Sequence, residues 1–327
     1  MTRSRLMSKL ARSLFADRDE QDRWLAALTH PQTVPSAIAW CQPRPEPFPF
    51  AIAPPLDWQP AFVDRLPAEL RPGQHPLHAQ GAYYCLDFSS VFAAYPMLTV
   101  PQPVQTVVDV CAAPGGKSIL AAVGLHPQIL ISNETIGKRL GMLVSNLQRC
   151  QIRAAIVSNR DSQVLAQYLP ATADVVIVDA PCTGQSLLAK GEAAPGCFHP
   201  VTINKNANRQ KRILANATQL VKPGGYLAYM TCAYSPAENE QVCDWLLERF
   251  PQFHPCTVPA LTAFQSHLTP RPYYRLFPQS GLGAGGFTAL FQHQEQGKEN
   301  LITEDTLTAI GVIFRPREIE EQSQATG

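Results

Sequence analysis

In the middle of the chain, short runs of β-branched and apolar residues alternate with longer stretches whose apolar positions recur every three or four residues. That alternation predicts strands interleaved with helices, and so an α/β fold with a mostly parallel sheet. Val107, Val108 and Val110 open the series with apolar residues on both pleat faces, as in a strand covered from both sides. QILISNE (128–134), AAIVSNRD (154–161), ADVVIVDAPC (173–182) and Tyr226 to Thr231 read as the next strands, and GGFTALFQ as a late one. Between them lie helical patterns: Lys117 to Val123, KRLGMLVSNLQRC, a segment with Ile213, Leu214, Ala217 and Leu220 on its apolar face, and PAENEQVCDWLLERF. The last has Pro236 in its first turn and sets Val242, Trp245, Leu246 and Phe250 toward the core. Pro223, Gly224 and Gly225 are expected to stop a helix just before the strand that begins at Tyr226.

The flanks differ. MTRSRLMSKLARSLF and DRWLAAL are two short amphipathic helices with Arg3, Arg5, Lys9 and Arg12 on the polar side, a solvated face or an RNA contact. Residues 31–80 are rich in proline and aromatics, which disfavours long helices and predicts a small N-terminal domain over 1–80. The main domain is expected over 81–295, starting at GAYYCLDFSS, and an accessory segment with an edge strand at IGVIF over 296–327. A net charge of +1 on 327 residues gives no global attraction to nucleic acid, so any such surface must be local. Nine cysteines without a C-x-x-C pair exclude a zinc ribbon and predict reduced thiols. The lack of a long apolar run or a signal-peptide pattern predicts a soluble, cytoplasmic protein with no membrane and no metal.

The candidate chemistry starts at TVVDVCAAPGGKS (106–118), a strand running into a small-residue turn that opens a helix. Pro114, Gly115 and Gly116 are expected to let a ligand approach the backbone at a helix N-terminus. A phosphate-cradling loop would need Gly where Cys111 stands, and the G-x-G-x-x-G spacing is missing, so an adenosine without phosphates fits better: S-adenosylmethionine. The plain alternative is a glycine turn with no ligand. Glu134 follows Lys117 by 17 positions, near the offset at which a carboxylate meets ribose hydroxyls. Glu134, Asp161 and Asp179 end three successive strands, so they should converge over one crevice at the sheet's carboxyl edge. Cys182 follows the strand that Asp179 ends, and Cys232 follows the next one. Either alone is most simply a small buried hydrophobe. Together, beside a methyl donor, they suit pyrimidine chemistry, in which a thiolate adds to carbon 6 and makes carbon 5 nucleophilic.

DVCAAPGGKS (109–118), NE (133–134), DAPCTG (179–184), QKRILANATQLVKPGGYLAYMTC (210–232), SPAENEQV (235–242) and RLFPQSGLGAGGFTALF (275–291) together resemble the Sun family of RNA cytosine-5 methyltransferases. The resemblance covers most of 81–295. It implies a class I methyltransferase domain with a seven-stranded, mostly parallel sheet, acting on ribosomal RNA first and transfer RNA as the alternative. It implies S-adenosylmethionine held by Cys111, Ala112, Ala113, Pro114, Gly115, Gly116 and Lys117, with Glu134 on the ribose, Asp161 on the adenine edge, and Asp179 on the cofactor amino end or the target ring. It makes Cys232 the nucleophile and Cys182 the cysteine that helps resolve the covalent adduct, with Lys117 near the ring. Were the chain a DNA cytosine methyltransferase, Cys182 would be the nucleophile instead. A non-catalytic RNA-binding assembly factor and a nucleotide hydrolase built on GGKS are the rivals, and a monomer is expected.

Two departures stand out. Leu86 sits where the family often has Gln, and QSLLAKGEAAPGCFHP offers only Lys190 and His199 where many members carry arginines and a tryptophan. Basic candidates for RNA are Lys205, Arg209, Lys211 and Arg212, and RPYYRLF, whose Tyr273 and Tyr274 between Arg271 and Arg275 suit stacking on unpaired bases.

Overall fold

The computed structural model describes residues 4–316 apart from 32 and 34, so Arg3 lies outside the described residues. Two amphipathic helices come first, α1 (Arg5–Leu14) and α2 (Arg18–Thr29), capped by the Ser4 and Asp17 side chains. Strands β1 (Ser36–Trp40) and β2 (Val63–Arg65), the single-turn helix α3 (Pro76–Ala79) and β3 (Tyr83–Asp87) follow. The three strands form a small antiparallel sheet in the order β2-β1-β3. Its third strand lies beyond residue 80, so this sheet straddles the expected boundary.

The large sheet is wound from alternating units: α4 (Phe88–Leu98), β4 (Thr106–Asp109), α5 (Gly116–Leu125), β5 (Ile129–Asn133), α6 (Gly137–Arg149), β6 (Ala155–Ser158), α7 (Ser162–Tyr168) and β7 (Ala173–Asp179). Then come α8 (Pro200–Leu220), β8 (Val221–Thr231), α9 (Glu240–Arg249), β9 (Phe253–Pro255), β10 (Tyr273–Leu276), β11 (Gly286–His293), α10 (Glu304–Ala309) and β12 (Val312–Phe314). The strand order is β10-β11-β8-β7-β4-β5-β6-β12, with β9 beside β11. Strands β6, β5, β4, β7 and β8 are parallel neighbours; β11 and β12 run against theirs. The expected α/β class holds. The sheet has nine strands where seven were expected, because the short β9 and β12 pair onto it.

The pleat explains why the central strands are apolar throughout. Val107, Val175 and Ile177 pack toward α4, α5 and α6, whereas Val108, Val176 and Val178 pack toward α7, α8 and α9. At about 25 cal/mol per Å² of apolar area removed from water, such doubly covered strands supply much of the folding drive. They also fix the carboxyl ends of β4, β5, β6, β7 and β8 as one rigid rim.

Pro223, Gly224 and Gly225 correct the expectation of a break before the strand. They lie inside β8, which begins at Val221, and the register against β7 shifts between Ala173 and Val175. A Cβ at Gly225 would sit 2.9 Å from the Ala173 carbonyl oxygen, so glycine permits the close passage and the chain need not leave the sheet.

Candidate active site

The rim carries a cavity of about 310 Å³. Around it stand Cys111, Ala113 and Pro114 after β4, Glu134 after β5, Asp161 after β6, Asp179 and Cys182 after β7, and Cys232 after β8. The convergence expected of the three acids and two thiols is therefore present. Ala112, Gly115, Gly116 and Lys117 are not among the cavity walls.

Gly115 and Gly116 meet a packing demand of the fold. Gly115 caps α5 in the left-handed region at φ 115°, and a Cβ there would meet Leu143 and Asn146 of α6. A Cβ on Gly116 would press on Tyr84 at 3.3 Å. What these glycines admit is neighbouring side chains of the protein, so the cavity wall in this loop is made by Cys111, Ala113 and Pro114.

Beneath the loop, Asp109 is fully buried and accepts hydrogen bonds from the Ser118 hydroxyl (2.7 Å) and the Cys111 amide (3.3 Å). Burial pushes its carboxyl up to about 7 against those bonds, with the Asp179 charge adding to the rise. The Cys111 thiol is pushed up as well, by burial and then by Asp109, Glu134 and Asp179, which marks it as an inert thiol of the wall. Lys117 crosses under the site to Asp179, its Nζ donating to Oδ2 at 2.9 Å. Burial opposes its charge, but Asp179 outweighs that cost and holds the ammonium above the ordinary lysine value.

Glu134 is almost wholly buried and accepts the Ile136 amide through Oε1 at 2.8 Å. Its Oε2 faces Arg139 at 3.1 Å as an ion pair, yet has no hydrogen-bond partner among the described residues. A buried carboxylate oxygen with spare acceptor capacity beside a cavity fits a hydroxyl-bearing ligand. Asp161 caps α7 through Oδ1, which accepts the Gln163 amide, and its Oδ2 meets Arg212 at 3.4 Å.

Two thiols meet on the same rim. Cys182 and Cys232 Sγ atoms lie 3.0 Å apart. The hydrogen bond from Cys182, followed by smaller help from Ser186 and Lys117, lowers Cys232 below the ordinary thiol value, although burial and Asp179 oppose it. The same hydrogen bond and burial raise Cys182 well above it. The two directions favour ionisation at Cys232 over ionisation at Cys182. That arrangement equips one sulfur as a nucleophile and the other as a proton donor.

A family model described as 16S rRNA methyltransferase RsmB/F matches residues 96–292, more than half of the chain. The chain belongs to this family. Among curated RsmB/F relatives, ribosomal RNA small subunit methyltransferase F of Vibrio parahaemolyticus is 35% identical over 174 residues, 53% of this chain and 36% of that protein. Its counterpart in Pectobacterium carotovorum is 31% identical over 217 residues, 65% of this chain and 44% of that protein. The chain thus spans less than half the length of these relatives. A methyltransferase homolog from Pyrococcus horikoshii shares the fold at TM-score 0.65 and 22% identity, over 89% of this chain and 99% of that one. The Pyrococcus horikoshii protein described as NSun6 with SFG does so at TM-score 0.68 and 16% identity, over 90% of this chain and 99% of that one.

Within this RsmB/F chain the other basic candidates divide. Arg209 and Arg212 of α8 line the cavity, whereas Lys211 turns toward Trp245, its Nζ 5.7 Å from the ring centroid. The stacking role expected of Tyr273 and Tyr274 is overturned. Both are buried in β10, and Arg275 points inward to Glu240, with Nε donating to Oε1 at 2.6 Å. Lys190 is directed to Asp87 at 3.3 Å, and His199 caps α8 by accepting the Val201 amide. The sequence reading missed Arg139, Leu187 and Ile213 as cavity walls, and Glu238, which binds Thr183 beside Cys182. Arg139 and Ile213 lie on helix faces whose direction only the packed sheet defines, and Glu238 is hidden in a short 3-10 turn. Among the described residues no group of three or more His, Cys, Asp or Glu is placed to hold a metal ion, and no helix is long and apolar enough to cross a membrane.

Proposed function

We propose that the protein transfers a methyl group from S-adenosylmethionine to carbon 5 of a cytosine in ribosomal RNA, acting in the cytoplasm, with Cys232 as nucleophile. The observation that carries this reading is the 3.0 Å contact between the Cys182 and Cys232 sulfurs on the same cavity as Glu134, Asp161 and Asp179. Membership of a family described by 16S rRNA methylation supports the substrate class.

Glu134 would hold the ribose hydroxyls of S-adenosylmethionine through the spare acceptor capacity of Oε2, Asp161 would meet the adenine edge, and Cys111, Ala113 and Pro114 of the loop would follow the remainder. When bound, that cofactor supplies an electrophilic methyl group on a sulfonium. Cys232 adds to carbon 6 of the cytosine: a carbon–sulfur bond forms, and the ring's 5,6 double-bond electrons shift so that carbon 5 becomes nucleophilic. Once carbon 5 carries the methyl group, its proton passes to the Cys182 sulfur, free to ionise after the adduct has removed the neighbouring Cys232 charge, and this restores the double bond and expels the Cys232 thiolate. Cys182, next to the sulfur that leaves, assists this release, and Asp179, anchored by Lys117, meets the ring or the cofactor amino end. A cytosine within a duplex must be flipped out for this attack.

The test is bisulfite sequencing of RNA from cells with and without the gene, which reports the base and whether it lies in ribosomal or transfer RNA. Cys232→Ala should abolish methylation, and Cys182→Ala should accumulate protein covalently linked to RNA, seen as a shifted band on a denaturing gel. A Cys182→Ala protein that turns over normally would refute the division of labour between the thiols.

A further inference from the structure

The loop bearing Cys182 is held by side chains that the catalytic scheme leaves unused. Glu238, fully buried in the turn after β8, accepts the Thr183 amide at Oε1 (2.9 Å) and the Thr183 hydroxyl at Oε2 (2.6 Å). Gln210 of α8, also fully buried, donates from Nε2 to Glu238 Oε1 (3.1 Å) and to the Pro181 carbonyl (3.0 Å). The residues on both sides of Cys182 are thus tied to one carboxylate–amide unit. The tie is reciprocal. Gln185, just past Cys182, accepts the Tyr234 and Ser235 amides through Oε1 (2.7 and 3.0 Å), and the Ser186 amide donates to the Cys232 carbonyl (3.1 Å). Each thiol's strand end is clasped by a side chain or amide from the segment following the other. Tyr229 of β8 completes the arrangement by donating to the Glu238 carbonyl at 2.6 Å.

We propose that Glu238 is a positioning residue that holds the Cys182 thiol against Cys232 and thereby sets both the reactivity of Cys232 and the release of the covalent adduct. Several physical arguments support this. A 3.0 Å sulfur contact between residues fifty positions apart needs both backbones fixed, and a loop after a strand has no ladder to fix it. A buried carboxylate whose two oxygens accept from one residue removes the freedom of that residue's backbone and side chain together. Burial pushes the Glu238 carboxyl up while the bonds from Thr183 and Gln210 pull it down, so the acceptors are retained only as long as the network is whole. A purely structural carboxylate would stabilise the fold without touching the thiol pair; the geometry ties Glu238 to Thr183 directly and to Pro181 through Gln210, and these are the neighbours of Cys182.

This inference rests on the proposed role of the thiols, and the experiment separates the two. Glu238→Gln keeps size and one acceptor oxygen but cannot accept both Thr183 protons. In the variant, the rate at which iodoacetamide alkylates Cys232, followed peptide by peptide by mass spectrometry across pH 6 to 10 without RNA, should move to higher pH. Its urea midpoint should show the fold retained, and Glu238→Asp should restore part of the wild-type profile. With RNA, Glu238→Gln should accumulate the covalent adduct as Cys182→Ala does, to a smaller extent. A folded Glu238→Gln protein with an unchanged Cys232 alkylation profile would overturn the positioning role. The alkylation readout requires no methyl transfer, so it stands even if the proposed reaction is wrong; failure of methylation in the wild type would sink that reaction alone. Should Glu238→Gln fail to fold, Thr183→Val removes one of the two tied protons from the other side, and the same alkylation shift is expected; its absence would count equally against the proposal.

Discussion

At the scale of single residues, the proposed reaction places the rate on the Cys232 sulfur. Its thiolate is favoured first by the Cys182 hydrogen bond, so the population able to attack carbon 6 persists to lower pH than for an ordinary cysteine near 8.5. The acid limb of kcat/KM should accordingly fall below that value in the wild type. In Cys182→Ala the rate of adduct formation, measured in a single turnover, should have its limb displaced upward. Arg275 shows why some residues misled the sequence reading. Arg-Tyr-Tyr-Arg composition suits a nucleic-acid surface, but composition does not reveal that Glu240 awaits inside to neutralise the guanidinium, which turns β10 into core. The two cysteines, by contrast, were legible because each directly follows a strand whose apolar run fixes its end.

At the scale of elements, the strand–turn–helix unit from β4 to α5 was readable from its valines and small residues, yet the reason for its glycines was not. Gly115 and Gly116 are required by Leu143, Asn146 and Tyr84, partners remote in sequence. The same unit stores a pH dependence. Asp109 would ionise near 3.8 in an unfolded chain but near 7 when buried, so between those values the folded state retains a proton that the unfolded state has lost. The stability this group contributes is full below about 4 and declines as pH rises to about 7. Urea midpoints between pH 5 and 8 should fall in the wild type and vary less in Asp109→Asn. Identical slopes would show that the carboxyl is not protonated in the folded protein.

For the whole molecule, the helices before the small sheet belong to the site's scaffold. Trp24, fully buried, packs edge-on against Tyr234 and beside Phe198, and α1 and α2 share a core with Leu188, Ala189, Cys197 and Ala284. That core lies behind the segment linking Cys182 to α8. Trp24→Ala should cost about 3 to 5 kcal/mol, measured by urea unfolding. It should also loosen residues 185–198, measured as faster amide exchange there. Exchange confined to α1 and α2 would mean that the helices are merely attached. The amphipathic pattern of α1 was plain from sequence, but its apolar face gave no address, because a stripe of Met7, Ala11 and Leu14 is satisfied by any apolar neighbour.

The antiparallel strand β11 sits between β8 and β10, so the strand that ends at Cys232 gains its second neighbour from residues more than fifty positions later. During synthesis on a ribosome, β8 must wait with one edge bare until residues 286–293 emerge. The seat of the Cys182–Cys232 pair is therefore finished only once that later strand has emerged, and a chain cut short before Gly286 would carry both thiols while leaving the strand that ends at Cys232 unpaired on one side.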